Sequence, residues 1–164
     1  MANSGVRPAL VDDSAEIARI QLLTWRAAYA GILPASVLAG LDEAAARDQW
    51  AAALRAGHPM LIALDGARTV GFAAYVVLGA TVEIGPLLVE PRWGRRGHGS
   101  RLLAGAIDLA RQSMADQAIM WIPRRDAASE SFLIGAGWGL DGRVRTLDTG
   151  DGLVQEMALR TAFG

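Results

Sequence analysis

The chain has 164 residues, 52% of them apolar and 20% charged, with a formal net charge of −1. That length and balance predict one folded domain over residues 1–164, and the absence of excess positive charge argues against a general nucleic-acid binder. All 16 basic residues are arginine and there is no cysteine, which excludes lysine Schiff bases, a Walker-type phosphate lysine, thiolate catalysis, disulfides and cysteine metal sites.

The opening stretch MANSGVRPALVDDS lacks the basic-then-apolar pattern of a secretory leader. The longest apolar run, Val70 to Val82, is too short and too strand-like to span a bilayer. The expectation is a soluble cytoplasmic protein with no membrane partner. Val6–Val11 reads as a first strand, and Asp13 with Glu16 three residues on has the form of a capping box. Ala18, Leu22, Trp25 and Tyr29 then recur on one helix face. Gly31 breaks that helix, and Pro34 suits the first turn of another. Glu43–Ala56 is alanine-rich and reads as a helix ending at Gly57.

Met60–Leu64, Val70–Leu78 and Thr81–Val89 read as strands joined by Asp65-Gly66 and Gly79-Ala80 turns. Leu103, Ile107, Ala110 and Met114 mark a further helix face, Ala118–Ile122 a buried strand and Ala127–Ile134 a short helix. Arg143–Asp148 and Leu153–Arg160 close the chain as a hairpin around Thr149-Gly150-Asp151-Gly152. The predicted order is β-α-α-β-β-β-α-β-α-β-β, a mixed α/β domain. His58 and His98 are the only histidines and lie far apart, so no paired-histidine metal site is expected.

The stretch GRRGHGS (residues 94–100) stands where the third strand of that run hands over to a helix. Gly97 and Gly99 permit close backbone approach, and Ser100 suits a helix start. The free N–H groups and positive dipole end of a first helical turn bind phosphate, with Arg95, Arg96 and Arg101 adding charge-assisted contacts. The plain alternative is a helix-start turn carrying solvated arginines. Upstream, Pro86 in TVEIGPLLVEP has no N–H and interrupts the strand ladder, leaving backbone groups of Leu87 and Val89 to pair with something extended. A ligand with a pyrophosphate at one end and an amide-bearing arm at the other would suit both features. Coenzyme A has that form.

Four stretches in order, TWRAAYAGILP, VEIGPLLVEP, RRGHGSRLL and WIPRRDAASESFLIGAGW, resemble the GNAT superfamily of acyl-CoA-dependent N-acetyltransferases; the first looks like the first-helix segment of one bacterial branch. The resemblance implies a mostly antiparallel sheet flanked by helices and splayed between strands 4 and 5, with acetyl-CoA as cosubstrate and no metal. It implies cofactor binding by Leu87, Val89, Arg95, Arg96, Gly97, His98, Gly99, Ser100 and Asp126, the last at the family's asparagine position. It places a general base at Glu83, acting directly or through water. A carboxylate on a mostly apolar strand is costly unless used or paired, and the alternative is an outward-facing strand residue. The acceptor would be an amine of a small molecule or peptide, and the family commonly dimerises through its terminal strands.

Two positions depart from the family pattern. Gly94 stands where glutamine or arginine is usual, and Leu133 stands where the family has the tyrosine that protonates the departing thiolate. Tyr29 and Tyr75 are candidates to replace it. His98 also reads as a filler between glycines, and Arg124 and Arg125 either meet cofactor phosphates or are solvated. Leu133 favours a second class, a non-catalytic acyl-CoA-binding domain, which Glu83 opposes. A third, an acetyltransferase of charged tRNA, draws on the arginine cluster but sits poorly with the net charge.

Overall fold

Runs of β-branched and aromatic residues in the middle of the chain build the sheet. A computed structural model describes residues 4–164, so residues 1–3 of the expected domain lie outside the described residues. The strands are β1 (Ser4–Pro8), β2 (Met60–Asp65), β3 (Arg68–Leu78), β4 (Thr81–Val89), β5 (Gln117–Pro123), β6 (Gly139–Asp148) and β7 (Leu153–Ala162). They form one seven-stranded sheet in the order β1-β2-β3-β4-β5-β7-β6. Every pairing is antiparallel except β4 with β5, the mixed, mostly antiparallel sheet that was expected.

The helices are α1 (Ser14–Ala28), α2 (Ala35–Ala39), α3 (Glu43–Arg55), α4 (His98–Gln112) and α5 (Ala127–Gly135). Ile17 and Ile20 of α1 pack with Phe72, Ile62 and Leu88 on one face of the sheet, under Trp50 and Leu54 of α3. Leu102, Leu103, Ala106 and Ala110 of α4 join Leu133 of α5, Ala73 and Met120 on the other. Burying one such side chain stabilises the fold by roughly 1.5–3 kcal/mol.

Several local expectations are corrected. The first strand ends at Pro8, and its continuation is a 3-10 turn, Val11–Asp13. The Asp13–Glu16 capping box does not form. Asp13 accepts from the Leu10 N–H at 2.7 Å and from the Arg7 guanidinium at 2.9 Å, while Glu16 pairs with Arg19. Pro34 is the residue before α2, a five-residue helix absent from the predicted order. Met114 is 84% exposed and lies beyond α4, whose buried stripe ends at Ala110. Trp138 is buried as expected.

The strand that carries the Pro86 signal behaves as its chemistry requires. Ala73 faces Leu87 and Tyr75 faces Ile84, so Gly85 and Pro86 together oppose the single residue Ala74. Gly85 has φ of 147°, a backbone state that glycine adopts without strain. Pairing with β5 covers only Thr81 to Ile84 and stops there, opening a wedge between the two parallel strands. Glu90 donates its N–H to the Val70 carbonyl at 2.8 Å. By strand alternation the backbone groups of Leu87 and Val89 therefore face the wedge instead of β3.

Candidate active site

Two features meet at the wedge: a loop of unpaired N–H groups at one end and a cleft at the other. Trp93 and Gly94 donate their N–H groups to Glu90 and Pro91, and Arg101 donates to Gly97 at 3.0 Å. Between them, the N–H groups of Arg95 to Ser100 find no acceptor among the described residues. Gly97 has φ of 83°, and a Cβ there would come within 3.0 Å of the Arg101 guanidinium. Gly99 is glycine for a different reason: its Cβ would touch the Phe132 ring at 3.4 Å and Val89 at 3.8 Å. It lets the first turn of α4 settle against α5 and β4. Arg95 and Arg96 on the loop and Ser100 in the first turn of α4 are exposed.

His98 turns inward, 1% exposed. Its Nδ1 accepts from Arg101 at 2.9 Å, and its Nε2 points at the Asp65 carboxylate at 3.4 Å without forming a hydrogen bond. What His98 offers a ligand is its backbone N–H, and the imidazole belongs to the packing beneath the loop. Burial, and then the neighbouring Arg101, hold its pKa below the ordinary value of 6.5. A base held neutral in the fold binds fewer protons than it does in the unfolded chain, so its contribution to stability is lost as pH falls below about 6.5. Melting temperature is expected to decline between pH 6.5 and 5, and His98→Asn, which keeps an acceptor for Arg101, is expected to remove that decline. Equal slopes in both proteins would refute the assignment.

The loop is anchored from behind by Glu90, which sequence reasoning did not single out. The residue is 3% exposed; its carboxylate forms an ion pair with Arg92 at 2.8 Å and accepts from Arg19 of α1 at 3.3 Å. Trp93 lies under Arg96, whose guanidinium is 4.8 Å from the indole centroid.

At the other end of the wedge lies a cleft of about 310 Å³. Glu83 lines it, on the last stretch of β4 still paired to β5. The Glu83 carboxylate is 35% exposed and stands 3.8 Å from the Arg145 guanidinium, with no hydrogen bond to any described residue. Arg145 is held by Glu156, its cross-strand neighbour, at 2.8 Å, and lies over the Trp121 ring at 4.3 Å. Arg145 and Glu156 were not anticipated. The signal was there: a hairpin turning at residues 149–152 places 145 opposite 156.

Asp126 is buried and caps α5. It accepts from the Ser129 N–H at 3.1 Å, the Ser129 hydroxyl at 2.6 Å and the Tyr29 hydroxyl at 2.8 Å. These three donors occupy the carboxylate that the family pattern assigns to the cofactor. Burial, and then the Asp126 charge, push the Tyr29 phenol well above its ordinary pKa of 10. Leu133 is completely buried in the α4-side core and does not line the cleft. Tyr75 packs against the same core, away from the cleft, whereas Tyr29 and Ser129 line it. Arg124 and Arg125 are exposed beside Gly31 to Pro34, in a separate groove.

Among the described residues no group of three histidine, cysteine or acidic side chains is placed to hold a metal, and no helix is long and apolar enough to cross a membrane. The Acetyltransferase (GNAT) family model matches residues 20–133. No curated protein matches the chain. Among solved structures, the GCN5-related N-acetyltransferase from Rhodopseudomonas palustris superposes with a TM-score of 0.81 at 21% identity, covering 99% of this chain and 98% of that one. The PaiA N-acetyltransferase from Thermoplasma acidophilum, solved with coenzyme A, gives 0.78 at 15% identity over 98% and 99% of the two chains. YncA from Salmonella typhimurium, solved with its cofactor acetyl-CoA, gives 0.71 at 19% identity over 99% and 95%.

Proposed function

The chain belongs to the Acetyltransferase (GNAT) family, and from that membership we propose that it acts as one domain transferring an acetyl group from acetyl-CoA to a primary amine. The observation that carries the reading is the wedge beyond Ile84, which joins the unpaired N–H groups of Arg95 to Ser100 to the cleft containing Glu83. Acetyl-CoA supplies an acyl thioester, an activated acetyl group. The loop N–H groups and the α4 dipole suit its pyrophosphate, with the Arg95 and Arg96 side chains adding charge. The wedge-facing backbone of Leu87 and Val89 suits the amides of its arm. Two structures of this fold, one solved with coenzyme A and one with acetyl-CoA, support the choice of cosubstrate.

The protein's own chemistry then centres on Glu83. An alkylammonium has a pKa of ~10.4, so it must lose a proton before it attacks. Glu83 takes that proton, directly or through a water. The Leu87 N–H supplies a donor for negative charge on the carbonyl oxygen. Leu133 gives no proton, and the Tyr29 proton is committed to Asp126. Departure without a dedicated acid is tolerable because a thiol ionises at ~8.5.

Gly97→Asp tests the cradle. It places a carboxylate among the phosphate-facing N–H groups at a left-handed position, and is expected to weaken acetyl-CoA binding at least about tenfold, or 1.4 kcal/mol. Calorimetry on the folded variant checks this, and unchanged affinity rules the cradle out.

A further inference from the structure

The cleft also carries information about its acceptor, and the inference rests on the reading above. The charged side chains lining it are Glu83, Arg145 and Glu156, two carboxylates and one guanidinium, while the Tyr29 phenol is held protonated. Arg145 is held by Glu156 through contacts of 2.7 and 2.8 Å, whereas Glu83 is approached only to 3.8 Å and keeps its hydrogen-bonding capacity. One negative charge is left unbalanced, at Glu83. That matches a single ammonium. A second ammonium would find only Glu156, already bound to Arg145. A carboxylate on the carbon bearing the amine would sit beside Glu83, with the one cation of the cleft spent.

The walls are aromatic and largely fixed. Trp50 donates its indole N–H to Gln21 at 2.7 Å and stacks edge-on against Phe72, with ring centroids 5.7 Å apart. Trp25 and Tyr29 stand 6.3 Å apart. Leu33 and Val154 close the chamber. A pre-ordered aromatic wall loses little entropy on binding an apolar body. The volume of about 310 Å³ lies at the low end of ligand pockets, and part of it is the wedge that takes the thioester arm. We propose that the acceptor is a compact arylalkyl monoamine, one ring on a short arm with a single primary amine and no carboxylate.

The test compares 2-phenylethylamine with phenylalanine, spermidine, methylamine and a tripeptide amide, using the full chain and acetyl-CoA and following thiol release. The kcat/KM for 2-phenylethylamine is expected to exceed those for methylamine, spermidine and the peptide by about 10- to 100-fold, the factor that burying one aromatic side chain supplies, and that for phenylalanine, which has the ring but sets a carboxylate beside Glu83, by at least about tenfold. Glu156→Gln releases Arg145 and is expected to narrow the margin over phenylalanine by about tenfold. A second readout needs no turnover: calorimetric titration of the same amines onto protein saturated with coenzyme A, where Trp50→Ala is expected to weaken 2-phenylethylamine at least about tenfold. Spermidine, phenylalanine or the peptide used as well as 2-phenylethylamine overturns the acceptor class while leaving acetyl transfer intact. Intact acetyl-CoA with every amine overturns the enzymatic reading. Calorimetry then still decides the cleft's preference, equal binding of phenylalanine and 2-phenylethylamine counting against it.

Discussion

Glu83→Gln is expected to lower kcat at neutral pH by about 100-fold, the usual cost of removing a general base. The substitution keeps the side chain's size and its place on β4. It also removes a partner that Arg145 holds only at 3.8 Å, so the fold loses little, as exposed ion pairs contribute little. Acetyl-CoA affinity is expected to stay unchanged, because the unpaired N–H groups of Arg95 to Ser100 are at the far end of the wedge. The defect should shrink as pH rises towards the ammonium pKa of ~10.4, since free amine then needs no base. That recovery separates a lost base from a damaged site. A variant matching the parent at neutral pH, with an accepted amine, would leave Glu83 a strand residue and nothing more.

Backbone chemistry was the legible part of this site. Pro86 announced a break in β4's ladder because a residue without an N–H cannot continue one; Gly85 and Pro86 are the bulge against Ala74, and pairing with β5 ends beside it at Ile84. Gly97 announced the start of α4 because a left-handed residue precedes that helix. Both effects are local, set by the residue's own covalent structure. Side-chain direction was not legible in the same way. His98 reads as a filler between glycines, yet packs inward against Asp65 of a distant strand and Trp93. Met114 fits the α4 stripe by spacing, but the helix ends at Gln112 and leaves it in solvent.

Leu133 shows the limit of matching positions. Alignment to the family motif suggests a residue facing the cofactor, and a phenol there would restore an acid. In the fold Leu133 lies fully inside the α4-side core, and a larger polar side chain would overpack it, typically costing about 1–3 kcal/mol. The tyrosine that does line the cleft is Tyr29, from the end of α1. Its partner Asp126 is 97 residues away, a separation over which no sequence periodicity operates.

That pair carries a large expected stability effect. Asp126→Ala removes the acceptor for three donors at once, the Ser129 N–H and hydroxyl and the Tyr29 hydroxyl. Losing a helix cap costs ~1 kcal/mol, and a buried hydroxyl without a partner costs ~2 kcal/mol more. A loss of about 3 kcal/mol by denaturant titration is expected on those terms. Tyr29→Phe keeps the cap and removes the donor, so it should cost only about 1 kcal/mol. The double variant should then lose less than the two single losses added, because the unpaired hydroxyl exists only in Asp126→Ala. Alkaline pH supplies an independent check with a definite sign. The Tyr29 phenol is held protonated in the fold, with its pKa raised by burial and by Asp126. Above pH ~10 the unfolded chain sheds that proton and the folded one retains it, so stability falls as pH rises. Unfolding free energy is expected to drop between pH 9 and pH 11 in the parent and to drop less in Tyr29→Phe. Identical alkaline slopes, or additive losses in the double variant, would show that the tyrosine and the cap act separately.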